Sequence, residues 1–456
     1  MSGIKFREDV STETLTHQER PESSKRTASQ YLKDIERATT NLAPNEEALH
    51  SSQRRADSYW QYMKPRILPY LRNLCQRILT VVITLAILIL VLLLLRDSEG
   101  LPEQYLWSEA TFDWPQVNPA SYLQPFNTSF GPYNVVLDGH SHTTYSDGRM
   151  TPEQSIQWHI ANGYNAVFVT DHNTVDGGLE AERIALEKYS DQIVVIPGME
   201  YSCCRLHMNF ININETVPVG PPVPTDEDIQ AAIARAHELG GLAIINHIPW
   251  SNSTEFGWEM ATLPNHPSLE SLVSWGLDGI EVVNQATLDE PSLLFAQKHN
   301  LLIMTGTDMH YPYVAANAWT IVNAANFSKD SIMSELLARR NTFYFDPTGT
   351  RNVSYPPDNP AYYRLASLLT LADFFGSFYT DMKGMYSFQG TFCQPRIFYL
   401  HGTMVAWFVG YIIIAHIFFE IGRGIVIAIW HGCKRLYRYV REDQNLQLSD
   451  NVSELQ

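Results

Sequence analysis

From Ile78 to Leu95 the chain carries 18 consecutive residues without a charge, apolar apart from Thr80 and Thr84. In hydrocarbon every backbone N–H and C=O must be paired within the segment, which confines such a run to a helix. At 1.5 Å per residue it reaches about 27 Å, close to the roughly 30 Å of a bilayer core. It lies too far from the N-terminus, and is too long, for a cleaved signal peptide. A second run, Ile397–Phe419, is interrupted by His401, Thr403 and His416 and is followed by Glu420 and Arg423. It reads as a second transmembrane helix, with a re-entrant or interfacial helix as the alternative. Lys64, Arg66, Arg72 and Arg77 precede the first run, and Arg423, Lys434, Arg435, Arg438 and Arg441 follow the second. Flanking positive charge marks the cytosolic side. Both termini are therefore expected in the cytosol, and residues 97–396 in a lumen or outside the cell, in the endomembrane system or at the plasma membrane.

The intervening region has its own character. It holds 13 Lys/Arg and 34 Asp/Glu, a net charge of −21 out of −17 for the whole chain. Such a body has no basic footprint for nucleic acid, and none is expected as a partner. Five N-x-S/T sequons fall here, at Asn127, Asn214, Asn252, Asn326 and Asn352, and one more at Asn451 in the tail. The five make N-glycans an expectation for a lumenal domain. Of five cysteines, Cys203, Cys204 and Cys393 are on the lumenal side, where one disulfide from Cys203 or Cys204 to Cys393 is open. Cys75 and Cys433 sit at the cytosolic membrane edge, as plain thiols or palmitoylation sites.

The expected organisation is as follows. Residues 1–55 form a disordered cytosolic tail, 56–77 a juxtamembrane segment, 78–95 the first span and 96–131 a lumenal linker. Residues 132–342 form the folded domain, and 343–396 an aromatic-rich cap or membrane-surface segment. The second span covers 397–419 and a cytosolic tail 420–456. Within the folded domain, apolar strand-like runs occur at 134–137, 166–169, 193–196, 209–213, 242–245, 279–283, 301–304 and 318–322. Helix-start signals lie between several of them: Thr151-Pro152-Glu153, Thr225-Asp226-Glu227-Asp228, Glu290-Pro291 and Lys329-Asp330-Ser331. This alternation argues an α/β fold with parallel strands, most simply a barrel, in which chemistry sits at the C-terminal strand ends.

Nine metal-ligand side chains occur in this region, almost all of them where a predicted strand ends. They are His140 and His142 in D-G-H-S-H, Asp147, His172 in T-D-H-N, Glu200, His207, His247 in I-N-H-I-P, and Asp308 and His310 in G-T-D-M-H. In an extended segment, side chains two apart point the same way, so His140 and His142 can grip one ion, and Asp308 with His310 can serve two. Glu200 can bridge two ions. Mixed imidazole and carboxylate ligation suits zinc, manganese or iron better than calcium. Two metals about 3.5–4 Å apart can share a hydroxide and clamp both sides of a displacement at phosphorus. No Ser-His-Asp or Cys-His motif competes for the role of nucleophile.

Residues 133–324 resemble the PHP family, named for polymerase and histidinol phosphatase domains. The resemblance covers somewhat under half the chain, with the motifs in order. It implies a distorted (β/α)7 barrel, two or three divalent metal ions, and phosphoester hydrolysis by a metal-activated hydroxide rather than a side-chain nucleophile. It further implies that His140, His142, Glu200 and Asp308 hold a first ion, Glu200, His207 and His247 a second, and Asp147, His172 and His310 a third. Asp138 and Asp171 are expected to orient histidines or cap strand ends. Arg149 and Arg205, each flanking a ligand motif, are candidates for a substrate phosphate. Glu281 is placed near the site, whereas His159, His237, His266 and His299 read as surface or packing residues. The expected substrate is a phosphomonoester or phosphodiester, with a lipid or glycolipid head group attractive because of the spans. The rival readings are a metal-dependent amidohydrolase and a non-catalytic metal-stabilised scaffold.

Overall fold

The computed structural model describes residues 46–453 except 99, 253–262, 264, 351–356, 383–384 and 394, together with six positions between 29 and 37. Asn352 and most of the expected tail lie outside the described residues. The chain divides into two compact units, Met1–Leu88 and Ile89–Gln456. The first unit consists of most of helix α1 (Glu46–Arg96), which starts inside the segment expected to be an unstructured tail. Its Glu-, Ala-, Gln- and Arg-rich opening has the composition of a good helix former. Two helical stretches, Ile67–Arg96 and Gly402–Arg441, are long and apolar enough to cross a membrane.

In the second unit a mixed sheet supplies the scaffold. Strands β1 (Val135–Asp138), β2 (Ala166–Val169) and β3 (Val194–Ser202) run parallel. β4 (His207–Ile211) then runs antiparallel between β3 and β5 (Leu242–Ile245). β5, β6 (Gly279–Asn284) and β8 (Leu302–Gly306) are parallel again, with the short β7 (Thr287–Leu288) folded back on β6. On the other side β9 (Ala318–Val322) and β10 (Asn341–Phe345) add antiparallel strands beyond β1. The sheet curls, since Gly139 at the end of β1 donates its N–H to Thr305 of β8 at 2.9 Å. The Thr305 N–H in turn meets the Thr320 hydroxyl of β9 at 3.1 Å.

The structure thus corrects the expectation of uniform parallel alternation. A parallel crossover needs a dozen or more residues. Only residues 203–206 separate β3 from β4, which forces a hairpin. β10 also carries the sheet past residue 342. Elsewhere the local signals act as expected. Thr151 caps α2 (Pro152–Ala161) in a capping box with Gln154, and Thr225 caps α4 (Asp226–Glu238) with Asp228. Here α3 is Asp176–Lys188. β2 and β5 are buried along their whole length, as strands covered on both faces must be.

After β10 come α9 (Pro360–Gly376), the hairpin β11 (Tyr379–Met382) and β12 (Ile397–Leu400), and α10 (Gly402–Ser453). The short helices α5 (Ile248–Asn252) and α6 (Leu269–Ser274), with α7 (Glu290–His299) and α8 (Lys329–Leu337), complete the count. The second span was expected to begin at Ile397. Instead Ile397–Leu400 pairs with β11, and the helix begins at Gly402 and runs past Phe419.

Candidate metal centre

Strand ends bring the nine ligand-type side chains together, and most of them are buried. Glu200, fully buried near the end of β3, is the hub. Its Oε1 lies 3.1 Å from His207 Nδ1 and 3.1 Å from His247 Nε2. Its Oε2 lies 2.7 Å from His172 Nδ1, while His140 Nε2 is 3.5 Å from Oε1. His140 and His142 follow β1 and converge, Nε2 to Nε2, at 3.0 Å. Asp308 Oδ1 stands 3.1 Å from His142 Nε2. Asp147 Oδ1 joins His310 Nε2 at 3.3 Å and His172 Nε2 at 3.6 Å.

Four overlapping clusters result, each with ligand atoms within 4.8 Å of one another: His142, Asp147, His172 and His310; His140, His142 and Asp308; His140, Glu200 and His247; His172, Glu200 and His207. His247 and Asp308 are held at positive φ, 27° and 49°. Non-glycine residues enter that region at a cost, and sites that need a particular side-chain direction are where it is met.

The donor set fits divalent cations. Five imidazoles surround one buried carboxylate, and among the described residues the buried Nε2 of His207 has no hydrogen-bond partner. Buried polar nitrogens are rarely left unpaired. Burial, helped by neighbouring His310 and His172, brings the His142 pKa down to about 3, and burial also lowers His207. Both rings therefore offer lone pairs. Burial works against charge at His140, yet Asp308, Glu281 and Glu200 outweigh it and raise its pKa well above the usual value. Against the same burial, His207 and His172 hold Glu200 low, and His140 and His142 hold Asp308 low. A bound cation would take over the role of the protons in balancing these carboxylates.

No protein-family model matches the chain. Over 160 residues it is 32% identical to the uncharacterized protein MJ1587 of Methanocaldococcus jannaschii, covering 32% of this chain and 80% of that protein. The chain belongs to the family of that archaeal protein. It is also 32% identical over 91 residues to the 5'-3' exoribonuclease Rnm of Escherichia coli, and over 90 residues to that of Salmonella typhimurium. These matches cover 19% of the chain and 31% and 30% of the two enzymes, so it spans about a third of the length of these curated relatives. Among solved structures, it is similar to a two-domain protein of Bacteroides vulgatus containing a predicted PHP-like metal-dependent phosphoesterase. That match has 21% identity and a TM-score of 0.40, and covers 54% of this chain and 70% of that one. The lesion-specific endonuclease PfuEndoQ of Pyrococcus furiosus gives 18% identity and a TM-score of 0.32, covering 45% and 56%.

Around the centre, the supporting residues sort by what they touch. Asp138 accepts from the backbone N–H groups of His140 and Thr307, the Thr307 hydroxyl and His159 Nε2, tying the ends of β1 and β8 together. His159, read as a surface or packing residue, is thus fully buried on α2 as the partner of Asp138. Asp171 accepts from the Thr143 N–H and hydroxyl and from Ser146, bracing the loop that carries Asp147. Glu281 on β6 is closer to the chemistry than either. Its Oε1 is 3.0 Å from His140 Nδ1, and its Oε2 accepts the His247 N–H at 2.9 Å.

The two candidate phosphate arginines point elsewhere. Arg205 is engaged by Asn265 O, Pro224 O and Asp226 Oδ1. Arg149 pairs with Glu103 at 3.0 Å, while its N–H supports the His310 loop. Neither lines the cavity of about 580 Å³ that opens onto the centre. Its walls are Trp250, Pro249 and the Asn284–Thr287 turn, together with Met385, Tyr386 and Phe388. Phe388, at φ 57°, stacks on His172 with ring centroids 3.6 Å apart. A disulfide from Cys204 to Cys393 fastens this 385–393 segment to the β3–β4 turn. Part of the aromatic 343–396 region therefore covers the centre.

Proposed function

We propose that this protein is a membrane-anchored, metal-dependent phosphoesterase of PHP type, hydrolysing a phosphomonoester or phosphodiester. The observation that carries the reading is Glu200, a fully buried carboxylate with imidazoles on both oxygens and an unpartnered His207 nitrogen beside it. His140, His142, Glu200 and Asp308 would hold one ion, Glu200, His207 and His247 a second, and Asp147, His172 and His310 a third. Divalent zinc, manganese or iron bound there would supply Lewis acidity toward a phosphoryl oxygen and a water nucleophile competent at neutral pH. Glu281 fixes the His140 tautomer so that Nε2 faces the centre. Phe388 and Trp250 narrow the cavity and exclude bulk water.

Among the described residues lining the cavity there is no Lys or Arg. A substrate phosphate there would be held by the metal ions rather than by a cationic side chain from those residues. The anchoring reading places both termini in the cytosol and the centre on the lumenal or extracellular side. The Cys204–Cys393 disulfide supports an oxidising compartment. Asn127, Asn214 and Asn326 are exposed, as glycan acceptors must be. The test is turnover of p-nitrophenyl phosphate, bis-p-nitrophenyl phosphate and p-nitroacetanilide by purified full-length protein loaded with Zn, Mn or Fe. Ester cleavage that Glu200→Gln abolishes is expected. Cleavage of the amide alone would replace the reading with an amidohydrolase.

A further inference from the structure

The segment from β11 to β12 contributes Met385, Tyr386 and Phe388 to the cavity and runs on into α10. At its base His401 is the single residue between β12 and α10, and its Nε2 meets the Thr380 hydroxyl at 2.7 Å. Toward its tip the pairing resumes beyond Met382↔Ile397, with the Cys393 N–H on Met385 O at 2.9 Å and a Tyr386–Phe392 bridge. The tip carries Phe388 onto His172.

The base is what water should not tolerate. All four residues of β12, Ile397, Phe398, Tyr399 and Leu400, are between 51% and 62% exposed, although successive side chains leave opposite faces of the strand. A two-stranded ribbon with large apolar groups bare on both faces is marginal in water. Next to it, α9 leaves Tyr363, Leu368, Leu371 and Phe374 exposed. The inner side of α9 packs Ala372 and Phe375 against Leu92 at the end of α1, with Phe408 of α10 alongside. The apolar surface is therefore continuous with the Ile89–Arg96 end of α1 and with α10. Two ion pairs flank it: Arg96 pairs with Asp373 at 3.3 Å, and Arg396 pairs with Asp381. Tyr379 stacks on Phe398 at 5.2 Å. Tyr379 stands opposite Leu400 at the base and accepts from Arg96 Nη1 at 3.3 Å, so tyrosine and arginine are interleaved with the apolar side chains, a mixture characteristic of a membrane–water interface.

We infer that β12 and the exposed apolar side chains of α9 lie in the interface of the bilayer as a lipid-binding platform. The inference rests on the membrane-anchored reading above and adds a lipid contact outside both spanning helices. It is independent of whether the centre hydrolyses phosphoesters.

The experiment places a photoreactive benzophenone amino acid at Phe398, at Phe418 in α10, or at the exposed Tyr122 of the lumenal side, one per full-length protein. Each is reconstituted in phosphatidylcholine vesicles, irradiated and analysed by mass. Lipid adducts at positions 398 and 418, and none at 122, are the expected result. Adducts at 418 alone, or a chain-to-chain crosslink at 398, would overturn the platform while leaving the anchor standing. No lipid adduct at any position would remove the membrane reading itself, and the platform with it.

Discussion

Replacing Glu281 by Gln tests the centre without touching any ligand. In the native arrangement Oε1 accepts from His140 Nδ1 at 3.0 Å, and Oε2 accepts the His247 N–H at 2.9 Å. With the proton on Nδ1, the His140 Nε2 lone pair faces Asp308 and Glu200, each 3.5 Å away. Glutamine is nearly isosteric but has one acceptor and one donor end. If its oxygen faces His140, its NH2 meets the His247 N–H. If it flips, the NH2 selects the opposite His140 tautomer and closes the lone pair on the metal side. Either the His247 and Asn284 donors lose their acceptor or the His140 tautomer that presents Nε2 to the metal is disfavoured. Loss of such a partner to a ligating histidine costs about 10- to 100-fold in metal affinity, or roughly 1.4–2.8 kcal/mol. Competition titration of metal-free protein against a chromophoric chelator reads this directly, with circular dichroism as the check on folding. A Glu281→Gln protein that stays folded and binds metal within twofold of wild type would refute the argument that Glu281 sets the tautomer.

Four further outcomes are expected. A methyl added at Gly306 would be driven into Glu281 Oε1 and to within 2.5 Å of His140 Cβ, so Gly306→Ala lowers both Tm and metal affinity in calorimetry and titration. Chelation lowers Tm and abolishes turnover, because cations no longer balance the buried carboxylates, and re-addition of the metal restores both. Arg205→Ala loses three protein contacts and about 1–3 kcal/mol of stability in denaturant unfolding, while the metal-loaded enzyme keeps its kcat. Burial pushes the Cys203 thiol up to about 11. At pH 8 only about a thousandth is thiolate, and the thiolate is the reactive form. Peptide mapping of native protein should therefore show Cys75 and Cys433 alkylated, Cys203 protected, and Cys204 linked to Cys393.

Much of the site was legible because most of the ligand-type side chains follow an apolar run, where strand ends converge in an α/β sheet, whereas His207 opens β4 and Asp147 lies in the loop after β1. Glu281 also left a signal, as the one acid inside the otherwise apolar Gly279–Val283 run. Other features had no local mark. The antiparallel β4 looks like any buried strand, and only the short turn before it fixes its direction. Cys203 and Cys204 are adjacent, so spacing alone cannot choose between them, and the fold does so by burying one and linking the other. Phe388 lies 216 residues from its ring partner His172, a contact no periodicity reveals. Ile397–Leu400 has the hydropathy of a span, and its pairing with β11 is what makes it a strand. Arg205 looked available because it adjoins a ligand motif, yet Asn265, Pro224 and Asp226 engage its Nε, Nη1 and Nη2.

The account stands most directly on metal content measured together with turnover. Elemental analysis of purified full-length protein should find two or three divalent ions per chain. The same preparation should cleave a p-nitrophenyl phosphate mono- or diester, and Glu200→Gln should lose both metal and activity while remaining folded. A fully loaded protein inert toward both esters, or an active one that retains turnover in the Glu200→Gln variant, would contradict it.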